Sequence, residues 1–160
     1  MGCTFDMSEY HDKRAKEIIS TVLYATVATA SKEGKPWNSP VAGFWDEDFN
    51  LYWFSDKGSV HSNNIRENQD VFIIVYDSTM KEGTGEAVYI EATTDDVNGQ
   101  AETQQVVDLQ TGNMRCTAEQ VSGDAIHRFY KATPKNIWVN DDEKDDKGEY
   151  VKDIRIKVEL

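Results

Sequence analysis

The sequence predicts a mainly β protein, an antiparallel barrel or sandwich with few helices. Short alternating or β-branched runs recur along the chain, most of them joined by Gly-, Pro- or Asp-rich turns of hairpin length. Helical patterning is confined to the start, one short crossover and one late stretch, so the strand–helix alternation that builds a parallel sheet is missing. At 160 residues, 39% apolar and 29% charged, the expectation is a single domain, 1–160, with a sizeable core. Within it, 1–22 holds an N-terminal helix and 95–122 a helical or irregular insertion.

Each element has its own signal. Ser8 to Val22 reads as a helix, with Ser8 as N-cap and Ala15, Ile18, Ile19 and Val22 at helical spacing. "LYATVATAS" (23–31) switches to small and β-branched residues in near alternation, a strand. The turn "KEGKP" follows, where Gly34 supplies the positive φ that tight hairpins use. "WNSPVAGFW" and "NLYWFS" form a second hairpin around the acidic turn "DEDFN", and Pro36 and Pro40 place the first of these strands at an edge or on a bulge.

Ser59 to Arg66 forms a short helix closed by "ENQD". "VFIIVY" is a nearly continuous apolar run, expected to be buried on both faces. After the turn "KEGTGE" comes the alternating strand "AVYIEATT". Asp95 to Gln110 holds good helix formers without a clean apolar stripe, a surface helix, and "TGNMRCTAEQVSGD" is irregular. "AIHRFYKATPKNIWVND" reads as two strands hinged at Pro134, and "VKDIRIKVEL" as the last strand.

Composition excludes several function classes. A formal charge of −12 repels phosphodiester backbones and anionic lipid headgroups, so neither nucleic acid nor membrane is an expected partner. An anionic ligand has to be held by a local site. Cys3 and Cys116 belong to no CxxC pair and suit a reducing, cytoplasmic setting, with one disulfide left open. The start "MGCTFDMSEYHDKRAK" lacks the apolar stretch of a secretion signal and has Asp6 where a myristoylation motif needs Ser or Thr. No run reaches the roughly eighteen apolar residues of a membrane span.

His11, His61 and His127 share no metal-ligand spacing, and no metal is expected. In "DDEKDDKGEY" a calcium loop with Gly148 at its sixth position would put Lys147 at the fifth, where an oxygen ligand is needed; a hairpin tip accounts for it better. "GTGEAV" lacks the third glycine of a dinucleotide loop and precedes a strand. No GxSxG elbow, Walker loop or Cys–His pair is present, so catalysis by protein side chains alone has little support.

One stretch stands apart. "FSDKGSVHSNNIR" (54–66) gathers Ser55, Lys57, Gly58, Ser59, His61 and Arg66 at a strand–turn–helix corner. First-turn amides of a helix lack internal partners and carry the positive end of its dipole, so such a corner accepts a phosphate without a cationic field elsewhere. The alternative is that Ser59 caps the helix and Gly58 turns the chain.

The order of motifs favours a ligand. "TVATAS", a turn with "GKP", "NSPVAGFW", an acidic turn, "LYWFS", the Gly-Ser corner, "NIRENQDV" and a buried strand together resemble the pyridoxamine 5′-phosphate oxidase-like, FMN-binding split-barrel family. The resemblance covers roughly Leu23 to Thr94 and resumes at "FYKATPKNIWVND" and "VKDIRIKVEL". It implies an antiparallel six- to seven-stranded split β-barrel with flanking helices, a homodimer with cofactor sites at its interface, and flavin-dependent oxidoreductase activity on an unspecified substrate. A reduced nicotinamide, NADH or NADPH, is a possible electron donor. Related split barrels use the deazaflavin F420 or bind haem, so the alternatives for this chain are one of those cofactors, or a non-catalytic flavin-binding or stress-related protein.

Carried onto this chain, the resemblance runs Ser39, Pro40, Val41, Ala42, Gly43 and Phe44 along the flavin ring, with backbone groups on its edge. It places Phe54 and Ser55 beside the ring and ribityl chain, and Ser59 and His61 at the phosphate with Asn64 close by. Trp138 falls where a partner subunit's aromatic approaches the ring in some members, and Arg155 near a C-terminal arginine. The chain also departs from the pattern. The family often has Arg where Ser39 stands and an Arg-Lys pair where Val60 and His61 stand, which should weaken phosphate binding; a histidine at 61 would make that contact pH-dependent. "KDIRIK" lacks the histidine of the vitamin B6 enzyme's substrate motif, so pyridoxine phosphate oxidation is not assigned.

Overall fold

The computed structural model describes residues 7–111 and 115–160; the N-terminal readings on Cys3 and Asp6 lie outside them. The chain runs α1 (Met7–Thr21), β1 (Tyr24–Ala30), β2 (Pro36–Ala42), β3 (Phe44–Trp45), β4 (Leu51–Asp56), α2 (Val60–Glu67), β5 (Asp70–Tyr76), β6 (Ala87–Asp96), α3 (Gln100–Leu109), a 3₁₀ turn (Ala118–Val121), β7 (His127–Lys144) and β8 (Tyr150–Lys157). Every strand pairing is antiparallel, as the hairpin-length turns predict.

The sheet order is β2-β1-β5-β6-β7-β4-β3, with β8 added on β7. Its two terminal strands, β2 and β3, are consecutive in the chain with only Gly43 between them. A sheet whose opposite ends are joined by one residue has to curl back on itself, so the path closes into a barrel that is parted along the β2–β3 seam. The expected strand "WNSPVAGFW" is therefore two strands with different partners: β2 pairs with β1, and β3 with β4. A Cβ at Gly43 would lie 2.6 Å from the Tyr52 carbonyl oxygen and 2.6 Å from Leu51 Cδ1, so the parting needs a residue without a side chain. Among the described residues there are eight strands, against the six or seven expected. Pro36 and Pro40 lie on a terminal strand, as their missing N–H groups require.

Two further expectations are corrected. The stretch around Pro134 is one 18-residue strand, β7; the hinge is a bulge, since Glu91 pairs with Asn136 and Ala92 with Pro134, leaving Lys135 as the extra residue. Residues 95 and 96 end β6, and α3 begins only after Gly99, whose φ of 97° few other residues adopt. β5 is fully buried on one face through Val71, Ile73 and Val75, while Phe72 and Ile74 on the other are half-buried.

The barrel interior packs Val27, Trp53, Ile73, Ile90, Tyr130 and Val139, and α1 closes against it through Ala15, Ile18 and Ile19, the face its spacing predicts. Burying each of the two isoleucines stabilises by about 1.5–3 kcal/mol. A second cluster lies on the outer wall of β3, β4 and β7. There Phe44 stacks on Tyr52 at 5.6 Å and meets Phe129 edge-on at 6.2 Å, covered by Val97, Val106 of α3 and Val121. The 95–122 insertion is thus a lid over aromatic residues, which explains why α3 buries only Thr103 and Val106.

Candidate functional site

The Gly-Ser corner folds as a capped helix. Ser59 adopts extended backbone and accepts from the Ser62 amide at 3.3 Å; its hydroxyl donates to Ser62 Oγ, which donates to the Asp56 carbonyl. Ser59 is therefore committed as the N-cap. The Val60 and His61 amides keep no partner among the described residues, as expected for a first turn. Gly58 is open above, with only Asp56 Oδ1 within reach of a Cβ, at 3.2 Å; that carboxylate accepts from the Gly58 amide at 2.6 Å. One amide of the corner is thus already occupied, by an acidic group.

His61 lies between two strands. Its Nδ1 is 3.2 Å from Ser39 Oγ on β2, and its Nε2 is 2.9 Å from Ser55 Oγ on β4. Burial pushes the imidazole below its ordinary pKa of 6.5, so it is neutral at pH 7. A neutral ring has one donor and one acceptor nitrogen. Trp37 Nε1 donates to Ser39 Oγ at 3.0 Å, which leaves that oxygen a second acceptor site. Both neutral tautomers therefore satisfy the ring: Ser39 O–H donating to Nδ1 with Nε2–H donating to Ser55, or Nδ1–H donating to Ser39 with Ser55 O–H donating to Nε2. In the first the Ser55 hydroxyl keeps its own proton for a further acceptor, and in the second the Ser39 hydroxyl does. His61 links Ser39 and Ser55, residues brought together only by the barrel.

Two guanidinium groups converge on the same corner. Arg66 donates to the Lys57 carbonyl at 2.8 Å and to Asn63 Oδ1. Arg128 is the cross-strand partner of Ser55 and donates to the carbonyls of Ala125, His127 and Gly123. Neither has an acidic partner among the described residues. Burial raises the Tyr130 phenol, offset in part by a bond with Ser62 and by the charges of both arginines, so the two cations lie within electrostatic range of one buried point. Arg128 escaped the reading of the sequence because nothing near it in the chain marks it; only the β4–β7 register carries it to Ser55.

The other predicted residues divide. Ser39 and Val41 face inward opposite Val27 and Ala25, while Pro40 and Ala42 lie exposed on the outer side. β2 is a terminal strand, so alternate backbone groups on its free side have no strand partner, as ring-edge hydrogen bonds would need. Phe54 and Ser55 point to opposite faces of β4; Phe54 packs edge-on against Phe129 and His127. Phe44 is buried in the outer aromatic cluster. Asn64 turns inward and donates to Thr29 Oγ1 at 3.0 Å, tying α2 to β1. Trp138 is half-buried on the outer face beside Tyr89, whose ring lies under Arg155 at 4.0 Å. Ten positions along β7 separate it from Arg128, about 30 Å at strand rise, so Trp138 and the corner do not meet within one chain.

An antiparallel barrel parted at Gly43, with a capped helix packed on β1, β2 and β6, defines a split-barrel protein. The pattern described as pyridoxamine 5′-phosphate oxidase matches residues 11–141, and the chain belongs to that family. Similar solved structures include the heme storage protein HutZ from Vibrio cholerae, 16% identical with a TM-score of 0.64 over 80% of this chain and 93% of that one. General Stress Protein 26 from Bacillus anthracis is 15% identical, with a TM-score of 0.58 over 91% and 98%. A heme binding protein from Mycobacterium smegmatis is 14% identical, with a TM-score of 0.62 over 91% of this chain but 57% of its own. At these identities the likeness is one of fold. Among curated proteins nothing matches. No helix among the described residues is long and apolar enough to cross a membrane.

Proposed function

We propose that the chain binds flavin mononucleotide and works as a flavin-dependent oxidoreductase of the pyridoxamine 5′-phosphate oxidase family. The observation that carries this reading is the corner itself. The Ser55 hydroxyl, the unpartnered Val60 and His61 amides and the guanidinium groups of Arg66 and Arg128 gather at one helix N-terminus of a chain with net charge −12. The two arginines stand in for the charges that Ser39, Val60 and His61 do not supply. The Asp56 carboxylate opposes them and lowers the affinity to be expected. Bound flavin would supply hydride or electron transfer. This chain's part would be to hold the phosphate at the corner, to hydrogen-bond the ring edge from the free side of β2, and to position Ser55 beside the phosphate through its bond with His61.

A homodimer completes this reading. Thr26, Ile74, Tyr89 and Trp138 are successive cross-strand neighbours on the outer face, and the exposed Tyr24 and Tyr76 extend this apolar row. A second copy seated there would bury the half-covered side of β5 and bring a partner's Trp138 toward the corner.

The test is the absorbance spectrum of the purified protein, before and after incubation with flavin mononucleotide, with its size in solution. Bands near 450 nm and anaerobic bleaching by NADH or NADPH are the expected result. A protein that neither carries nor takes up flavin would refute the proposal. Heme-binding neighbours favour a second reading, and here one histidine is suited to it. His61 has both ring nitrogens engaged, and His11 is buried with Nε2 at 2.8 Å from Asp141; His127 is exposed, with no hydrogen bond on its ring among the described residues. A Soret band abolished by His127→Ala would decide for haem.

A further inference from the structure

On the face of β4 opposite Ser55, a separate opening of about 330 Å³ lies between the barrel wall and the insertion. Phe54 of β4, Val121 of the insertion, Ile126 just before β7 and His127 of β7 form most of its wall, joined by Cys116 and Arg115. This volume is at the lower end of small-ligand cavities, about 300–1,000 Å³, and fits one or two fused rings with a substituent.

The wall is held in shape from behind. Gln110, only 5% exposed, donates from Nε2 to the Val107 and Cys116 carbonyls, at 3.1 and 2.8 Å, and accepts the Cys116 amide at 2.8 Å. It also lies 3.4 Å from Cys116 Sγ, whose thiol is pushed up by burial. Gln120 is spent on the Thr117 amide. Gln110 and the Cys116 backbone are thus satisfied internally, while the exposed His127 ring makes no hydrogen bond among the described residues. Arg115 is exposed and makes no ion pair or hydrogen bond among the described residues. Asp56, the cross-strand partner of His127, is held by the Gly58 amide. On a chain that repels anions as a whole, an uncompensated guanidinium at an apolar opening selects for negative charge.

We infer that this opening is a binding site for a small flat apolar molecule carrying one negative charge, the class of aromatic carboxylates and sulfonates. The site does not depend on the flavin reading, because Phe54 and Ser55 face opposite ways and the corner's groups take no part in it.

The experiment uses the full chain and two fluorescent probes, the anion 8-anilinonaphthalene-1-sulfonate and the neutral N-phenyl-1-naphthylamine. Wild-type protein should bind both saturably. Arg115→Gln, at an exposed position, should weaken the sulfonate about fivefold and leave the neutral probe unchanged. Ile126→Asp, also exposed, should weaken both. The sulfonate should slow alkylation of Cys116 by N-ethylmaleimide, followed by peptide mass spectrometry, with Cys3 as reference. Absence of saturable binding, indifference to both substitutions, or an unprotected Cys116 would overturn the site. An equal loss of both probes in Arg115→Gln would overturn its preference for anions.

Discussion

Gly43→Ala tests whether the barrel is parted where the chain has no room for a side chain. The added methyl would lie 2.6 Å from both the Tyr52 carbonyl oxygen and Leu51 Cδ1, where ordinary contact is about 3.5–4.0 Å. Leu51 can change rotamer. The Tyr52 carbonyl cannot move alone, because Tyr52 pairs with Phe44 in the short β3–β4 ladder. Overpacking of this kind costs about 1–3 kcal/mol, and a disturbed ladder bond about 1 kcal/mol more. Against this, alanine restricts the unfolded chain and returns about 0.4–1 kcal/mol. The net expectation is a loss of about 2 kcal/mol, roughly a 30-fold change in the folding equilibrium and a Tm lower by about 4–8 °C. Urea unfolding followed by tryptophan fluorescence reads it, with Gly58→Ala as the companion, since a Cβ there meets only Asp56 Oδ1 at 3.2 Å. A Gly43→Ala stability within about 0.5 kcal/mol of wild type would refute the account of the seam.

Other positions give independent checks. Thr94 is fully buried and its Oγ1 has no partner among the described residues, so Thr94→Val, which removes an unmet hydroxyl at nearly constant volume, should stabilise by about 1 kcal/mol in denaturant titration; a loss would mean the hydroxyl is satisfied after all. His61 titrates below its ordinary 6.5 when folded, so protonation favours the unfolded chain. Stability should be complete above that pH and decline as pH falls through the folded value. In His61→Gln that slope should flatten, and an unaltered profile counts against a neutral, buried ring. Ser59→Asp keeps an N-cap residue of the preferred kind while adding negative charge. Its fold should survive and its flavin mononucleotide affinity should drop by about tenfold or more; equal affinity would move the phosphate away from α2. Ile74→Asp places a charge in the middle of the outer apolar row and should shift the proposed homodimer to monomer in light scattering, an outcome that a dimer built on another face would not give.

Much of the architecture was legible from local patterns. The face of α1, the Gly34 turn, Ser59 as N-cap, the edge character conferred by Pro36 and Pro40 and the hairpin tip around Gly148 all follow from interactions between residues a few positions apart. The order of those motifs was also enough to indicate the family. What remained out of reach depends on distant pairing. That Gly43 parts a strand depends on β2 and β3 joining opposite ends of one sheet, and that Pro134 bulges without breaking depends on the run of β6 beside it. The corner divides the same way: the sequence by itself supplied the turn, the cap and the unpaired amides, because a helix start is a local object. Only the closed barrel set Ser39 and Ser55 on either side of His61 and brought Arg128 to Ser55, because the partners of a ring nitrogen or a guanidinium are chosen by strand register, which no neighbouring residue encodes.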